Sequence, residues 1–288
     1  MTLQDILQAT EAESAQRRRQ DSLAVLKQRI ADLPATLGFA RRLAAKFGVI
    51  AEIKVKSPSM GSMSASAEAT AEAAHRYYQD HPIVAAISVL TQATHFGGSA
   101  QRLRTVRRET TKPILRKDFV QDEYEVYFSR AIGADAILLM ANVVTDRAKF
   151  KALHDLANEL GMDVLCEVHS REELAILPDS TGICGINARD FKRSGGFVIS
   201  EAARRQGRDL STELATFDLF PDLNPKWIKV AESGLAADNL GAVLAKYPFD
   251  AALIGTSLLR GGQDRIKPEL DRLQAAIAAA PAERIDAR

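Results

Sequence analysis

The chain has 288 residues with a net charge of +1, 46% hydrophobic and 26% charged residues, ordinary for a globular protein. A core of this size can be buried without disulfides or metal, and the length suits one α/β barrel with added elements. The near-neutral balance and the lack of a long basic stripe argue against a nucleic-acid binder, and no apolar run is long enough to span a bilayer.

In chain order, the N-terminus lacks an apolar core ahead of a small-residue cleavage site, so no signal peptide is expected. Thr2 with Asp5 is a weak N-cap signal, and Leu3, Ile6, Leu7, then Leu23, Leu26 and Ile30 recur at helical spacing. Arg17-Arg18-Arg19 reads as the solvated face of that helical stretch. Pro34 interrupts it before a second short segment around Leu37 to Lys46.

From Val49 the texture changes to short β-rich runs separated by amphipathic stretches. The runs are Val49–Lys54, Ile83–Leu90, Pro113–Lys117, Ala136–Met140, Asp163–Glu167, Gly182–Asn187, Trp227–Glu232 and Ala251–Gly255. Helical patterns fill Ala65–Tyr78, Ala100–Glu109, Tyr124–Ile132, Asp146–Leu160 and Asp238–Lys246. Eight strands alternating with helices predict a closed (β/α)8 TIM barrel, with residues 1–48 as a helical extension, 49–260 as the barrel core and 261–288 as a C-terminal helix. An open doubly wound sheet is the alternative, but no G-x-G-x-x-G or Walker loop is present. Gly133-Ala134-Asp135-Ala136 and Pro248-Phe249-Asp250-Ala251 form a faint internal echo, an Asp leading into the next strand each time.

Charged residues inside apolar strands must be paired or used. Here they fall at the C-terminal ends of the runs: Glu52 and Lys54, Lys117, Glu167, Asn187 with Arg189, and Glu232. In a barrel these ends converge on one mouth. Period-two alternation puts Glu52 and Lys54 on one face of their strand. Salt bridges closing the barrel top are the competing reading for any single residue, and a weaker one for the set. The last two loops carry Ser233-Gly234 and Gly255-Thr256-Ser257, where glycine backbone and hydroxyls suit a phosphate. Their alternative is ordinary turn and cap chemistry.

Taken together, these stretches carry a family resemblance. Ile50-Ala51-Glu52-Ile53-Lys54 followed by Ser57-Pro58-Ser59 resembles the opening signature of indole-3-glycerol phosphate synthases. Ser88-Val89-Leu90-Thr91, Phe96-Gly97-Gly98-Ser99, Leu115-Arg116-Lys117-Asp118-Phe119, Glu167-Val168-His169, Gly185-Ile186-Asn187, Ala231-Glu232-Ser233-Gly234 and Leu253-Ile254-Gly255 continue it in order. The resemblance runs from about Ile50 to Leu259.

It implies a phosphorylated small-molecule substrate, 1-(2-carboxyphenylamino)-1-deoxyribulose 5-phosphate, which loses CO2 and water to give an indole. Lys117 is then the acid that polarises the ketone, and Lys54 shares the dehydration with Glu167. Glu52 and Glu232 orient the lysines, and Asn187 holds an oxygen of the substrate. Ser57, Arg189 and Ser233 line the pocket, Phe96, Phe119 and Leu138 form a slot for the ring, and Gly234, Gly255 and Thr256 hold the phosphate. Simple barrel packing is the other reading of the three apolar residues. No cofactor or metal, no nucleic-acid partner and no membrane are expected, and the state expected is a monomer or weak homo-oligomer.

Met60, His95 and Ala188 depart from the family pattern, as does the segment Ser194 to Pro225. Two readings of that segment stay open: a lid that closes over the pocket, helical after Ser200, or a lengthened sixth helix packed outside the barrel. His75, His81 and His154 read as surface, His169 as a strand-end residue. Cys166 and Cys184 read as buried thiols in a reducing cytoplasm, with Cys166 facing away from the barrel interior. Two rivals to the enzyme reading are a paralogous phosphate-binding barrel with another sugar phosphate, and a non-catalytic ligand-binding barrel.

Overall fold

The apolar runs fold as strands because both of their faces are covered, one by the barrel interior and one by helices. The computed structural model describes residues 2–57, 61–189 and 214–280. Its barrel strands are β1 (Gly48–Ile53), β2 (Val84–Leu90), β3 (Ile114–Lys117), β4 (Ala136–Met140), β5 (Asp163–Val168), β6 (Ile183–Asn187), β7 (Ile228–Glu232) and β8 (Ala251–Ile254), and Lys56–Ser57 pairs antiparallel with Gly61–Ser62 beyond β1. Each pairs in parallel with its sequence neighbours, and β1 closes on β8, so the expected closed barrel is present. The expected strands agree with these bounds to within one residue at either end. Among the described residues, no helix is long and apolar enough to cross a membrane.

Inward positions alternate with outward ones along every strand. Ile50, Ala86, Leu115, Leu138, Leu165, Ile183, Val230 and Leu253 form the apolar barrel interior. The outward residues, Cys166 and Cys184 among them, join the larger layer between sheet and helices. Burial pushes the Cys166 thiol up to about 12 and the Cys184 thiol well up too, so neither is a nucleophile at neutral pH.

The faint repeat has a physical cause. Asp135 Oδ2 accepts from Ile114 N at 2.7 Å, and Asp250 Oδ2 accepts from Lys229 N at 2.7 Å. Each Asp thus satisfies a backbone donor of the preceding strand at the end of the barrel away from the mouth.

The N-terminal region is three helices: α1 (Leu3–Gln20), α2 (Leu23–Ala31) and α3 (Phe39–Ala45). Thr2 and Asp5 form a full capping box on α1, and Ser22 caps α2 through its side chain, which explains the break between them. The arginine run is not simply solvated. Arg17 reaches Glu125 at 3.0 Å, and Arg18 reaches Asp122 at 2.6 Å and lies over the Tyr124 ring. Among the described residues the remaining α-helices are α4 (Ala67–Asp80), α5 (Ala93–Phe96), α6 (Ala100–Glu109), α7 (Glu123–Ala131), α8 (Arg147–Glu159), α9 (Leu240–Lys246), α10 (Thr256–Leu259) and α11 (Gln263–Ala278).

Three histidines expected at the surface are buried instead, with exposures of 2% for His75, 7% for His81 and 2% for His154. Carboxylates on other helices draw two of them in: His75 Nε2 lies 2.7 Å from Glu109, and His81 Nε2 lies 3.1 Å from Asp271. His154 is covered by Asn158 and Ser180.

The long segment after β6 is described only from Leu214 onward; residues 190–213, where the expected lid begins, lie outside the described residues. Leu214–Asp222 is a 3-10 helix whose Phe217 and Phe220 are buried against Tyr247 and Phe249. Phe249 leads into β8, so this part packs at the barrel end opposite the mouth and cannot cover it.

Candidate active site

Lys117 ends β3, and the alternation that turns it inward turns its neighbour Arg116 outward. At the mouth, Lys117 Nζ lies 2.9 Å from Glu232 Oε2 of β7 and 3.3 Å from Glu167 Oε2 of β5. Lys54 Nζ lies 2.7 Å from Glu52 Oε1, the two side chains rising from the same face of β1 as their spacing required. Asn187 at the end of β6 accepts from the backbone N–H of Arg189 at 3.0 Å, which fixes its amide.

These groups line a cavity of about 220 Å³ together with Ser57, Phe96, Phe119, Leu138, Arg189, Ser233, Gly234, Gly255 and Thr256. Every residue singled out from the sequence therefore faces one space. Phe96 and Phe119 make its apolar wall, with ring centroids 6.0 Å apart. Arg260 and Asp118 also line it and were missed. A cation four residues beyond Thr256 was the available signal for Arg260.

Two glycines make room for the carboxylates. A Cβ on Gly185 would collide with Oε1 of Glu232, and one on Gly255 would collide with Oε1 of Glu52. Gly255 thus serves a buried carboxylate as well as any anion at the loop. Ser233 and Gly234 both hold positive φ, 70° and 72°. Ser233 is the one non-glycine residue to do so among the described residues, a conformation that costs roughly 1–2 kcal/mol.

The charges set one another. Burial works against the Lys117 ammonium, but Glu232, Glu167 and Glu52 outweigh it and hold its pKa above the ordinary value. Burial also lowers the Lys54 pKa, and there Glu52 does not fully offset it because Arg189 and Lys117 add repulsion. Glu232 is pushed up to about 8 by burial and by the nearby Glu167 against the pull of Lys117. Glu167 and Glu52, though equally buried, are held below their ordinary value, Glu167 by Lys117 and His169, Glu52 by Lys54 and Lys117. The mouth thus holds a fixed cation, a more readily deprotonated amine, two carboxyl groups held in the ionised form and a third, Glu232, that keeps its proton more tightly than usual.

Behind the site, Arg116 is fully buried and donates to Asp118 at 2.8 Å, Glu125 at 2.7 Å and Thr91 at 2.9 Å. Glu125 also takes Ser14 at 2.6 Å and Arg17 at 3.0 Å, which ties α1 to the strand bearing Lys117. Glu13 of α1 accepts from Gln92, Ala93 and Thr94, fixing the loop that carries Phe96. Of the departures from the family pattern, Ala188 faces the outer layer and His95 does not line the cavity; Met60 lies outside the described residues.

Ion pairs this dense around a cavity at the open end of a parallel barrel, beside an aromatic wall, mark a (β/α)8-barrel enzyme that acts on a small molecule. Its nearer kin are identifiable. The family profile "Indole-3-glycerol phosphate synthase" matches residues 3–268. An indole-3-glycerol phosphate synthase of Lachnospira eligens is 40% identical over 73% of this chain and 74% of its own length. One of Parafrankia sp. is 35% identical over 91% of this chain and 92% of its own. The chain belongs to the indole-3-glycerol phosphate synthase family. Among solved structures, 3-keto-L-gulonate-6-phosphate decarboxylase of Vibrio cholerae shares the fold at 14% identity, with a TM-score of 0.57 over 81% of this chain and 98% of that one.

Proposed function

We propose that the chain is an indole-3-glycerol phosphate synthase, a carbon–carbon lyase that closes the ring of 1-(2-carboxyphenylamino)-1-deoxyribulose 5-phosphate with loss of CO2 and water, a step of tryptophan biosynthesis. The observation that carries this reading is the Lys117 ammonium held between Glu232 and Glu167 at the mouth, beside the wall of Phe96 and Phe119.

In this reading the substrate ring lies against Phe96, Phe119 and Leu138, which keeps its reacting carbon near the ketone. Lys117, protonated throughout the neutral range, donates to the ketone oxygen as the ring carbon attacks and the oxygen gains charge. Glu232 and Glu167 keep that ammonium aimed inward. Loss of CO2 restores aromaticity, its electron pair returning to the ring. Dehydration then needs one acid and one base; Lys54, with its lowered pKa, and Glu167, ionised, are matched to that pair. Glu52 orients Lys54 and, with Glu232, stabilises cationic character on the substrate nitrogen. Asn187 holds an oxygen of the sugar chain, with Ser57 and Ser233 beside it, and Arg189 faces the carboxylate before it leaves. The phosphate sits against the backbone of Gly234, Gly255 and Thr256.

The chain acts as one unit in this reading, since α1 is tied to both the Phe96 loop and the Lys117 strand. Among the described residues Val25 is the only large hydrophobic side chain that is exposed, which supports a monomer or a weak homo-oligomer. A reducing cytoplasm suits the two buried free thiols. Incubating the purified protein with the carboxyphenylamino substrate and following indole fluorescence tests the proposal; no fluorescent product at any pH from 6 to 9 would overturn it.

A further inference from the structure

Glu167 has a second partner outside the cavity. His169, two residues on, places Nε2 3.4 Å from Glu167 Oε1, on the side opposite Lys117, which holds Oε2. The imidazole is itself paired on its other side: its Nδ1 lies 3.4 Å from Glu173 Oε2, at the 3-10 helix Glu172–Ile176, with the Asn142 side-chain amide standing beside it just past β4. The same Glu173 oxygen accepts from the His169 backbone N–H at 2.7 Å. Glu173 and the ring are both largely buried, with side-chain exposures of 6% and 7%.

We infer that His169 is a positioning residue for the reaction: clamped by Glu173, it holds the Glu167 carboxylate oriented and ionised for its turn as base. The inference rests on the reading of Glu167 given above. The charge pattern fits. Burial would discharge the ring, but Glu173, Glu167 and Glu232 keep its pKa above the ordinary histidine value, and His169 in turn helps to hold Glu167 below its own. The groups facing the ring are Glu167 on β5, Glu173 on the 3-10 helix, Glu232 on β7 and the neutral Asn142. Lys117 stands beyond Glu167. The carboxyl groups around the ring favour its protonated form, and a charge there, 3.4 Å from Glu167 Oε1, favours the ionised form of Glu167 over the neutral one.

The test compares His169→Gln, which keeps hydrogen-bonding capacity but never the charge, with Glu173→Gln, which touches neither substrate nor Glu167. Both should fold as the parent does by circular dichroism. For His169→Gln, kcat should fall by roughly 10- to 100-fold, less than loss of an acid or base itself, with KM within about threefold. The acidic limb of its kcat profile should move to higher pH, because Glu167 without its cationic neighbour protonates sooner. Glu173→Gln should show a smaller shift in the same direction. Unmoved limbs with kcat within twofold of the parent would overturn the inference. A second measurement does not depend on turnover. With five histidines in the chain, the His169 ring proton is assigned in the NMR spectrum by its loss in His169→Gln. It should titrate above the ordinary histidine range in the parent and lower in both Glu173→Gln and Glu167→Gln. If the parent turns nothing over but the ring titrates this way, the proposed reaction fails while the clamp stands; a ring indifferent to both carboxylates removes the clamp.

Discussion

Gly185 on β6 and Glu232 on β7 divide one space between them: a Cβ at residue 185 would overlap Oε1 of Glu232, whose other oxygen holds Lys117 at 2.9 Å. Because the obstructed atom is the far end of a flexible side chain, Gly185→Ala should fold. The Glu232 carboxylate must move aside, and Lys117 loses its nearer partner. We expect kcat to fall by about 10²-fold, the usual consequence of misplacing a catalytic group by about 1 Å, with KM much less affected. Near-normal turnover in Gly185→Ala would show that Lys117 does not depend on Glu232.

Glu232 also leaves a mark on stability. Its pKa, about 8 when folded, lies above the ordinary value of 4.5. Below pH 4.5 both folded and unfolded chains hold the proton and nothing is lost. As pH rises from there to about 8 the unfolded chain gives the proton up while the folded one keeps it, so folding becomes progressively less favourable. Glu232→Gln has no such proton. Its melting temperature should exceed the parent's near pH 8, and the difference should close as pH falls toward 4.5, whatever happens to activity. A gap that widens on acidification would mean that Glu232 is ionised in the folded protein.

Much of this site was legible in the sequence because strand alternation is rigid. Glu52 and Lys54 are two apart, so they had to share a face, and the ends of parallel strands had to converge. What was not legible depends on partners from distant segments. Alternation alone turns Arg116 outward, but the groups that balance its charge there, Glu125 and Asp118, show only in the structure. His75 and His81 were read as exposed because the carboxylates that draw them in, Glu109 and Asp271, lie 34 and 190 residues away. Gly185 stands in one of the matching motifs, but nothing in the sequence says why it is glycine; its reason is the carboxylate on the next strand.

The two lysines should fail differently. Lys117→Met keeps much of the volume but cannot donate a proton, so turnover should drop on the order of 10²- to 10⁴-fold with substrate affinity mostly kept. Lys54→Met leaves Lys117 and both its carboxylates in place, so ring closure should proceed and dehydration stall. Rapid-quench analysis of Lys54→Met should find an intermediate that has already lost CO2. Accumulation of unreacted substrate in that variant, with none of the intermediate, would reverse the two assignments.

The phosphate loops allow a sharper separation, because their two glycines are constrained for different reasons. Gly234 holds φ at 72°, where a side chain costs roughly 1–2 kcal/mol of backbone strain. Gly255 is constrained by Glu52, which a Cβ there would displace. Gly234→Ala should therefore distort only the anion cradle: KM and the inhibition constant of inorganic phosphate should rise together, by roughly tenfold for a loss near 1.4 kcal/mol, while kcat at saturation stays close to the parent's. Gly255→Ala should weaken phosphate inhibition too, but it should also lower kcat, since moving Glu52 loosens the 2.7 Å contact that orients Lys54. Measuring phosphate inhibition beside steady-state rates distinguishes the two. If neither variant changes the inhibition constant, the anion is held elsewhere on the rim, and Arg260 is then the residue to replace next.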